Sequence, residues 1–239
     1  MELWKTLGLD MARHRMVALV GGGGKTTSIY ALAHEARLAG QTVIVTTSTH
    51  MMPHPGIFLT GSTERASLEA LLGQYGIVTV GELTREDKMS GAGDLAACKA
   101  EAHIVLVEAD GARLQPLKAP ADHEPVIPPE ADAVIAVCGM DCLGKAIGAV
   151  CHRPERVAEL LDKPLEALVT PGDVVKILLS DRGSRKHVAD KPYCVILNKV
   201  DSPARHAGAA EIAALLEQAG VSVAMTEYAE EERGGLCWF

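Results

Sequence analysis

A run of four glycines followed by a lysine and two threonines is the most chemically informative part of this 239-residue sequence. It directly follows a short apolar run at residues 16–20, MVALV. Glycines let backbone N–H groups curl around phosphate oxygens, and the start of a helix adds partial positive charge. Lys25 would reach the β- and γ-phosphates, and the Thr26 hydroxyl would bind Mg²⁺. The pattern therefore predicts a nucleoside triphosphate site at Gly21, Gly22, Gly23, Gly24, Lys25, Thr26 and Thr27.

The spacing of this loop departs from the common phosphate-loop pattern G-x-x-x-x-G-K-[ST]. That pattern requires a glycine at position 19, where this chain has Leu19, so the loop is closer to the tighter form G-x-x-G-K-T-T. A glycine-rich turn that happens to precede a lysine and a threonine is the competing interpretation. The predicted strand before the loop and the predicted helix after it favour phosphate binding, because the motif requires that context.

Two carboxylates follow the apolar run at 104–107, which has the composition of a buried strand. In open α/β sheets, ligands bind at the carboxyl ends of the strands, so Glu108 and Asp110 would lie beside the glycine loop. Asp110 could hold Mg²⁺ through water while Glu108 orients or deprotonates an attacking water, and the two roles could be exchanged. The competing interpretation is that both residues cap a turn at Gly111.

The tetrapeptide Asn198-Lys199-Val200-Asp201 ends another apolar run and predicts a base-binding element. An asparagine amide can bond the O6/N7 edge of guanine, and an aspartate carboxylate can accept from its N1 and N2 donors. The stem of Lys199 would lie on the face of the base. The motif favours GTP over ATP, although a solvated turn between a strand and a helix would have the same composition.

Three further residues are weaker candidates for contacting a substrate. His50, with His54 nearby in sequence, could sense the γ-phosphate or hold a metal. Lys118 and His123 lie in the proline-rich segment 116–129 and could face an anionic substrate. Each of these residues could equally be a solvated or structural side chain.

A cysteine-rich stretch could bind a soft metal or handle selenium. It comprises Cys138, Cys142, Cys151 and His152. The spacing of the first two cysteines does not match a zinc knuckle, and Cys138 has the position of a core residue at a strand end. A structural role is therefore the favoured interpretation.

Strand-like runs alternate with helix-like stretches along the chain, which indicates a parallel sheet covered on both faces. We expect a single domain, with a small helical insertion around 138–192. The expected strands are residues 16–20, 42–45, 77–80, 104–107, 133–137, 194–197 and an edge strand at 221–225, and the expected helices are residues 26–39, 64–73, 93–102, 154–162, 171–180 and 204–219.

The amino-acid composition and net charge argue against several classes of binding partner. A formal net charge of −8 argues against a nucleic acid polymer or an anionic membrane as partner. Two Phe, two Trp and four Tyr are too few for base-stacking platforms on single strands. The absence of a signal-like segment, of a long apolar run and of C-x-x-C pairs leads us to expect a cytoplasmic protein with reduced thiols.

Several strings together resemble the YqeC family, which comprises accessory proteins of selenium-dependent molybdenum hydroxylases, also described as selenium cofactor biosynthesis proteins. The strings are VGGGGKTT, TTSTHM, VEADGARLQPLKAPADHEPVIP, HRPE and LNKVD. The resemblance implies an α/β, P-loop NTPase-like three-layer sandwich with a mainly parallel sheet, and a role in maturing or inserting a selenium-containing molybdenum cofactor. The residues that stand where the family pattern has them are Gly21, Gly23, Gly24, Lys25, Thr26, Glu108, Asp110, Lys118, Pro120 and His123.

From these observations we expect a Mg²⁺-dependent nucleotide-binding protein that hydrolyses GTP or ATP, with GTP favoured. Its partner would be a selenium-dependent molybdenum hydroxylase or the cofactor of that enzyme. Two other classes stay open: an ATP-dependent ligase or kinase acting on a small molecule, and a nucleotide sensor without turnover.

Overall fold

The computed structural model describes residues 2–85, 88–91 and 93–228 of the chain. Strands and helices alternate through most of this part of the chain. The strands are β1 (Met16–Gly21), β2 (Val43–Thr47), β3 (His50–Met51), β4 (Phe58–Thr60), β5 (Ile77–Arg85), β6 (Lys88–Gly91), β7 (Ile104–Glu108), β8 (Leu117–Lys118), β9 (Ala133–Gly139), β10 (Cys151–His152), β11 (Tyr193–Asn198) and β12 (Ser222–Thr226). The helices are α1 (Leu3–Thr6), α2 (Lys25–Leu38), α3 (Arg65–Tyr75), α4 (Leu95–Glu101), α5 (Ile147–Val150), α6 (Pro154–Leu161), α7 (Pro171–Leu179) and α8 (Pro203–Gln218), with a 3₁₀ turn at Met140–Cys142.

The central sheet is mostly parallel, with the order β12-β11-β9-β1-β7-β2-β5-β6-β3, and β4 also pairs with β5. Strand β1 lies between β7 and β9 and is parallel to both. Only β6, which is antiparallel to β5 and β3, departs from this direction among the described strands. The carboxyl ends of β1, β7, β9 and β11 therefore lie along one edge of the sheet.

Both faces of the sheet carry a hydrophobic core, because successive side chains of a strand point to opposite sides. Val17 and Leu19 pack on one side with residues of α1 and α2. Ala18 and Val20 pack on the other side with residues of α3, α4, α6, α7 and α8. The chain is thus an α/β protein with helices around a mostly parallel sheet.

The seven strands expected from the apolar runs are all present, and the run at 221–225 forms the edge strand β12 as predicted. Shorter elements escaped the sequence patterns, because two- to four-residue strands carry too little periodicity to be recognised. The proline-rich composition of the segment 116–129 predicts a loop, but Leu117–Lys118 forms β8 and pairs with β10.

The segment 138–192 contains α5, α6 and α7. Their apolar residues belong to the same hydrophobic core as one face of the sheet. That this segment is an insertion stays a prediction. Within the described part of the chain, no helix combines the length and apolarity needed to cross a bilayer.

Candidate functional site

A cleft of about 950 Å³ opens at the carboxyl edge of the sheet. One wall is formed by residues 23–27, at the start of α2, and by Glu108 at the end of β7. The rest of the lining comes from residues 49–52, 84–85, 88, 111–114, 124 and 152–153. The register of the sheet explains why Glu108 faces the loop, since Glu108 pairs with Leu19 on β1.

The glycine run is packed against the backbone of neighbouring segments. A Cβ at Gly23 would lie 2.5 Å from the Gly139 Cα, and a Cβ at Gly22 would overlap the carbonyl oxygen of Gln115. The amide groups here are also occupied: Gly22 N donates to Val137 O (2.9 Å) and Gly23 N donates to Gln115 O (3.0 Å). These glycines are therefore required for packing, whatever the loop binds.

The free backbone donors lie one step further along the chain. Gly21 N donates to Asp110 Oδ2 (3.1 Å), so the first three glycines all use their amides within the protein. The amides of residues 24–27 have no hydrogen-bond acceptor among the described residues, as expected for the first turn of a helix. An anion bound by this loop would therefore be held by residues 24–27 more than by residues 21–23.

Lys25 is buried and held by three oxygen atoms. Its Nζ lies 2.7 Å from Gly21 O, 3.1 Å from Asp110 Oδ1 and 3.7 Å from Glu108 Oε1. Burial by itself would lower the pKa of Lys25, but the two carboxylates outweigh that effect and the pKa is raised. Lys25 is therefore a fixed positive charge beside the free amides.

Thr26 and Glu108 form a pair of oxygen ligands suited to a hard cation. The Thr26 hydroxyl donates to Glu108 Oε2 at 2.9 Å. Burial raises the pKa of Glu108, and the favourable interactions with Lys25 and Thr26 offset only part of that effect. Asp110 is in contrast paired with two lysines, Lys25 and Lys118 (3.1 Å each). Of the two carboxylates, Glu108 is the one beside the Thr26 hydroxyl.

A series of ion pairs connects the glycine loop to Arg153, which also lines the cleft. Lys118 Nζ contacts Asp110 Oδ2 (3.1 Å) on one side and Glu124 Oε2 (2.9 Å) on the other. Glu124 is in turn bound by Arg153, with Nη1–Oε2 at 2.7 Å and Nη2–Oε1 at 3.1 Å. Lys118 is almost fully buried, so its position is that of a structural link between these two carboxylates. Its predicted contact with an anionic substrate stays a prediction.

Replacing Glu124 with glutamine is expected to lower the free energy of unfolding at pH 7 by about 3 kcal/mol, because two cations lose their shared carboxylate. Burial favours the protonated form of Glu124, but Lys118 and Arg153 outweigh it and lower its pKa to about 2. Because this pKa lies below the ordinary value of 4.5, the stabilisation is present above pH 4.5 and is lost towards pH 2. Urea unfolding from pH 7 to pH 2 measures the difference between wild type and Glu124→Gln, which should shrink as the pH falls.

Asp122→Asn is the matched control for this experiment. Asp122 lies in the same segment and pairs with Arg156 at 2.9 Å, but its side chain is 90% exposed. Its replacement should change stability little at any pH, since exposed ion pairs are weak. A Glu124→Gln variant as stable as wild type at pH 7 would contradict the role given to the buried pairs.

The tetrapeptide predicted to bind the base lies beside the loop but outside the lining of the cleft. Asn198 Nδ2 donates to Gly23 O (2.8 Å), and Asn198 Oδ1 accepts from Thr226 Oγ1 (2.9 Å). Lys199 Nζ pairs with Asp141 Oδ2 at 2.7 Å, and Asp201 pairs with Arg205. The observed role of Asn198 is to tie β11 to the glycine loop, while guanine binding stays a prediction.

The structure places the weaker candidate residues in different positions relative to the cleft. His50 is exposed and lines the cleft, whereas His123 is exposed and lies outside its lining. His54 Nδ1 accepts from Gly56 N (3.0 Å), and its ring packs on Tyr30. The roles of His50 and His123 in substrate binding stay predictions.

The cysteine-rich stretch has the features of a core. Cys138, Cys142 and Cys151 are buried free thiols in the core of one sheet face. Burial raises the pKa of Cys151 to about 12. Among the described residues, no group of three or more His, Cys, Asp and Glu side chains is arranged to hold a metal. Cys237 lies outside the described residues.

The lining of the cleft is positively charged although the chain carries a net charge of −8. Among the described residues of the lining, five cationic side chains stand against two carboxylates. Such a concentration of one sign in a cleft attracts anionic ligands. The cations are Lys25, Arg85, Lys88, Arg113 and Arg153, and the carboxylates are Glu108 and Glu124.

The chain matches the family model described as YqeC protein over residues 17–155. This range extends from β1 to the start of α6 and includes the glycine loop, Glu108, Asp110, Lys118 and Glu124. The chain belongs to the YqeC family. It is also 31% identical to protein YqeC of Escherichia coli (strain K12) over 184 residues, which cover 74% of this chain and 72% of that protein. The resemblance seen in the sequence is thereby confirmed.

The sequence patterns did not identify three residues of the cleft lining: Arg113, Glu124 and Arg153. They line the cleft together with the start of α2. Each stands in one of the strings that carried the resemblance, in GARLQPLK, ADHEP and HRPE. Those strings were the available signal, but no local spacing indicates that Arg153 shares a cleft with Arg113 and Glu124, which stand 40 and 29 positions before it in the chain.

Proposed function

We propose that this chain is a Mg²⁺-dependent nucleotide-binding protein with a P-loop NTPase-like three-layer fold, and that it hydrolyses a nucleoside triphosphate. The observation that carries the proposal is the group of unpaired amides at residues 24–27 beside Lys25, in a cationic cleft. Backbone amides at the start of a helix, together with a lysine, form the standard arrangement for binding phosphates. A local site of this kind is compatible with the acidic net charge.

The Thr26 hydroxyl and the Glu108 carboxylate would hold Mg²⁺. Their oxygens are 2.9 Å apart, and hydroxyl and carboxylate oxygens are ligands that Mg²⁺ prefers. When bound, Mg²⁺ would neutralise charge that develops on the phosphate oxygens. Asp110 is the less suitable ligand, because Lys25 and Lys118 already neutralise it, so the geometry favours Glu108 over Asp110 as the Mg²⁺ ligand. Asp110 would then position Lys25 and Gly21.

Lys25 would move when a triphosphate binds. Its present partners are the Gly21 carbonyl and the two carboxylates, and phosphate oxygens would replace the carbonyl. The raised pKa of Lys25 keeps the side chain charged throughout this exchange. Binding would thereby couple the start of α2 to Asp110 and Lys118. Such a rearrangement could transmit turnover to a client, which on the resemblance would be a selenium-dependent molybdenum hydroxylase or its cofactor.

A thermal-shift panel of GTP, GDP, ATP, ADP and CTP with Mg²⁺ tests this proposal. Ligand at 100 times its Kd should stabilise the protein by about 2.7 kcal/mol. GTP should stabilise more than ATP, because Asn198 and Asp201 have the residue types that bind guanine. Asp201→Asn should remove this preference, whereas Asp190→Asn, at an exposed position, should not. Stabilisation by ATP and not by GTP would show that the guanine assignment is wrong.

A second candidate function is an ATP-dependent ligase or kinase acting on a small molecule. The observation in its favour is that the cleft extends beyond the loop to Arg113 and Arg153. Phosphate attached to a metabolite, with nucleotide diphosphate formed only when that metabolite is present, would distinguish it from an NTPase. Tight binding with no phosphate release would instead indicate a nucleotide sensor.

A further inference from the structure

We propose that the part of the cleft lined by Arg113 and Arg153 binds a second anionic small molecule through a phosphate or carboxylate group. The inference rests on the proposed function, because it takes the loop at residues 24–27 as the nucleotide site. It adds a second ligand beside that nucleotide.

The size of the cleft is the first argument. At about 950 Å³, it lies at the upper end of the range for small-molecule sites, which is roughly 300–1,000 Å³. A second cavity of about 370 Å³ is also lined by Arg113, His152 and Arg153. The same three side chains therefore line both the cleft and the second cavity, so there is room for a ligand beside Arg113 and Arg153.

The guanidinium of Arg113 is the second argument. Arg113 is exposed at the cleft, and no acceptor for its side chain occurs among residues 2–85, 88–91 and 93–228. Its backbone and that of Leu114 lie in the left-handed region, with φ of 47° and 64°. Such conformations cost on the order of 1 kcal/mol or more for residues other than glycine, and they cluster at binding sites.

The segment that carries Arg113 is attached to the glycine loop. Gln115 O accepts from Gly23 N (3.0 Å), and Pro116 O accepts from Gly139 N (3.0 Å). Arg113 thus stands on a segment whose position is determined by the nucleotide loop itself. This attachment would fix the position of the second ligand relative to the nucleotide.

Arg153 and its surroundings supply the third argument. Arg153 is bound to Glu124, a carboxylate that also contacts Lys118, while Lys118 is in addition paired with Asp110. The Arg153 backbone is also left-handed, with φ of 57°, and its Nη1 lies 2.9 Å from His152 Nε2. Burial and the neighbouring cations lower the pKa of His152 to about 4, so its ring is neutral at pH 7. With Arg113 added, the lining here has two cations, Arg113 and Arg153, against one carboxylate, Glu124.

The test uses full-length protein saturated with the β,γ-imido analogue of the nucleotide selected by the thermal-shift panel, with Mg²⁺. This analogue fills all three phosphate positions, so an added anion cannot bind there. Inorganic phosphate and malonate are then titrated separately by calorimetry at constant ionic strength. We expect saturable binding of at least one probe, and the preferred probe identifies the group as a phosphate or a carboxylate.

Arg113→Ala should weaken binding of the preferred probe at least tenfold and leave the Kd of the nucleotide analogue within twofold of wild type. Arg113→Lys should retain part of the affinity, because it keeps the charge but not the planar fork. Arg13→Ala is the control, since Arg13 has an exposed side chain and only a long contact of 3.9 Å with Asp10.

Failure of the inference differs from failure of the proposed function. If the analogue binds and neither probe does, or if Arg113→Ala leaves probe binding unchanged, the second site is refuted and the nucleotide site stands. If Arg113→Ala weakens the analogue as much as the probe, Arg113 belongs to the nucleotide site and the inference is refuted. If the analogue does not bind, the proposed function is refuted.

Discussion

Lys25→Met is expected to abolish nucleotide binding and to lower the free energy of unfolding by about 3–5 kcal/mol at pH 7. The loss of binding follows from removing the only lysine beside the free amides in the described loop at residues 21–27. The loss of stability follows because Glu108, which is buried, loses its cationic partner. Nucleotide titration by calorimetry and urea unfolding measure the two effects.

The pH dependence identifies the cause of this instability. Burial already raises the pKa of Glu108, and removal of Lys25 should raise it further. A raised carboxyl pKa contributes stability below its unfolded value, and that contribution is lost as the pH rises through the folded value. The defect of Lys25→Met should therefore be small near pH 4 and grow towards pH 7.

The double variant Lys25→Met/Glu108→Gln separates stability from binding. It should recover most of the unfolding free energy at pH 7, because no unpaired buried carboxylate remains, and it should still fail to bind nucleotide. A folded Lys25→Met protein that binds nucleotide with wild-type affinity would overturn the proposed function.

Gly23→Ala is expected to lower the free energy of unfolding by about 2–5 kcal/mol. The added Cβ would lie 2.5 Å from the Gly139 Cα, which is backbone and has no rotamer by which to move away. The φ of +77° at Gly23 adds strain that a residue with a Cβ does not relieve. Thermal and urea unfolding, with no nucleotide present, measure the effect.

Gly73→Ala is the matched control. Gly73 lies in α3, and a Cβ there would meet no atom within 4 Å. The substitution should raise stability by about 0.5–1 kcal/mol, because alanine favours the helix. If Gly23→Ala were as stable as wild type and lost only nucleotide affinity, the glycine would serve the ligand and the packing argument would be wrong.

The roles of some site residues could be predicted from the local sequence, because the residues that surround them in the structure are also their neighbours in the chain. The apolar run of β1, the glycines and the first residues of α2 together predict a strand, a tight loop and a helix start. Glu108 follows from the same reasoning, since the end of a buried parallel strand lies at the ligand-binding edge. The strand β12 was also predictable, from the apolar run at 221–225.

Other features depend on contacts between distant segments. Lys118 was a weaker candidate for contacting an anionic substrate, and that contact stays a prediction. Its burial between Asp110 and Glu124 is set by the course of the segment 116–129 over the strand ends. The Asn198 amide binds Gly23 O because β9 brings β11 alongside the loop. No pattern within a short window of sequence encodes either contact.

The sequence by itself determined the order of strands and helices, the family, and the four-glycine loop with its lysine and its strand-end carboxylates. These features follow from short-range periodicity and from motifs that are each a contiguous string of the sequence. Only the tertiary structure decided which amides stay free, because the Asp110 carboxylate accepts from the amide of Gly21 and neighbouring carbonyls accept from those of Gly22 and Gly23, which leaves the amides of residues 24–27. The tertiary structure also brings Arg113 and Arg153 into the lining of the same cleft. Their positions are set by left-handed backbone conformations and by pairing between distant segments, neither of which the local sequence reveals.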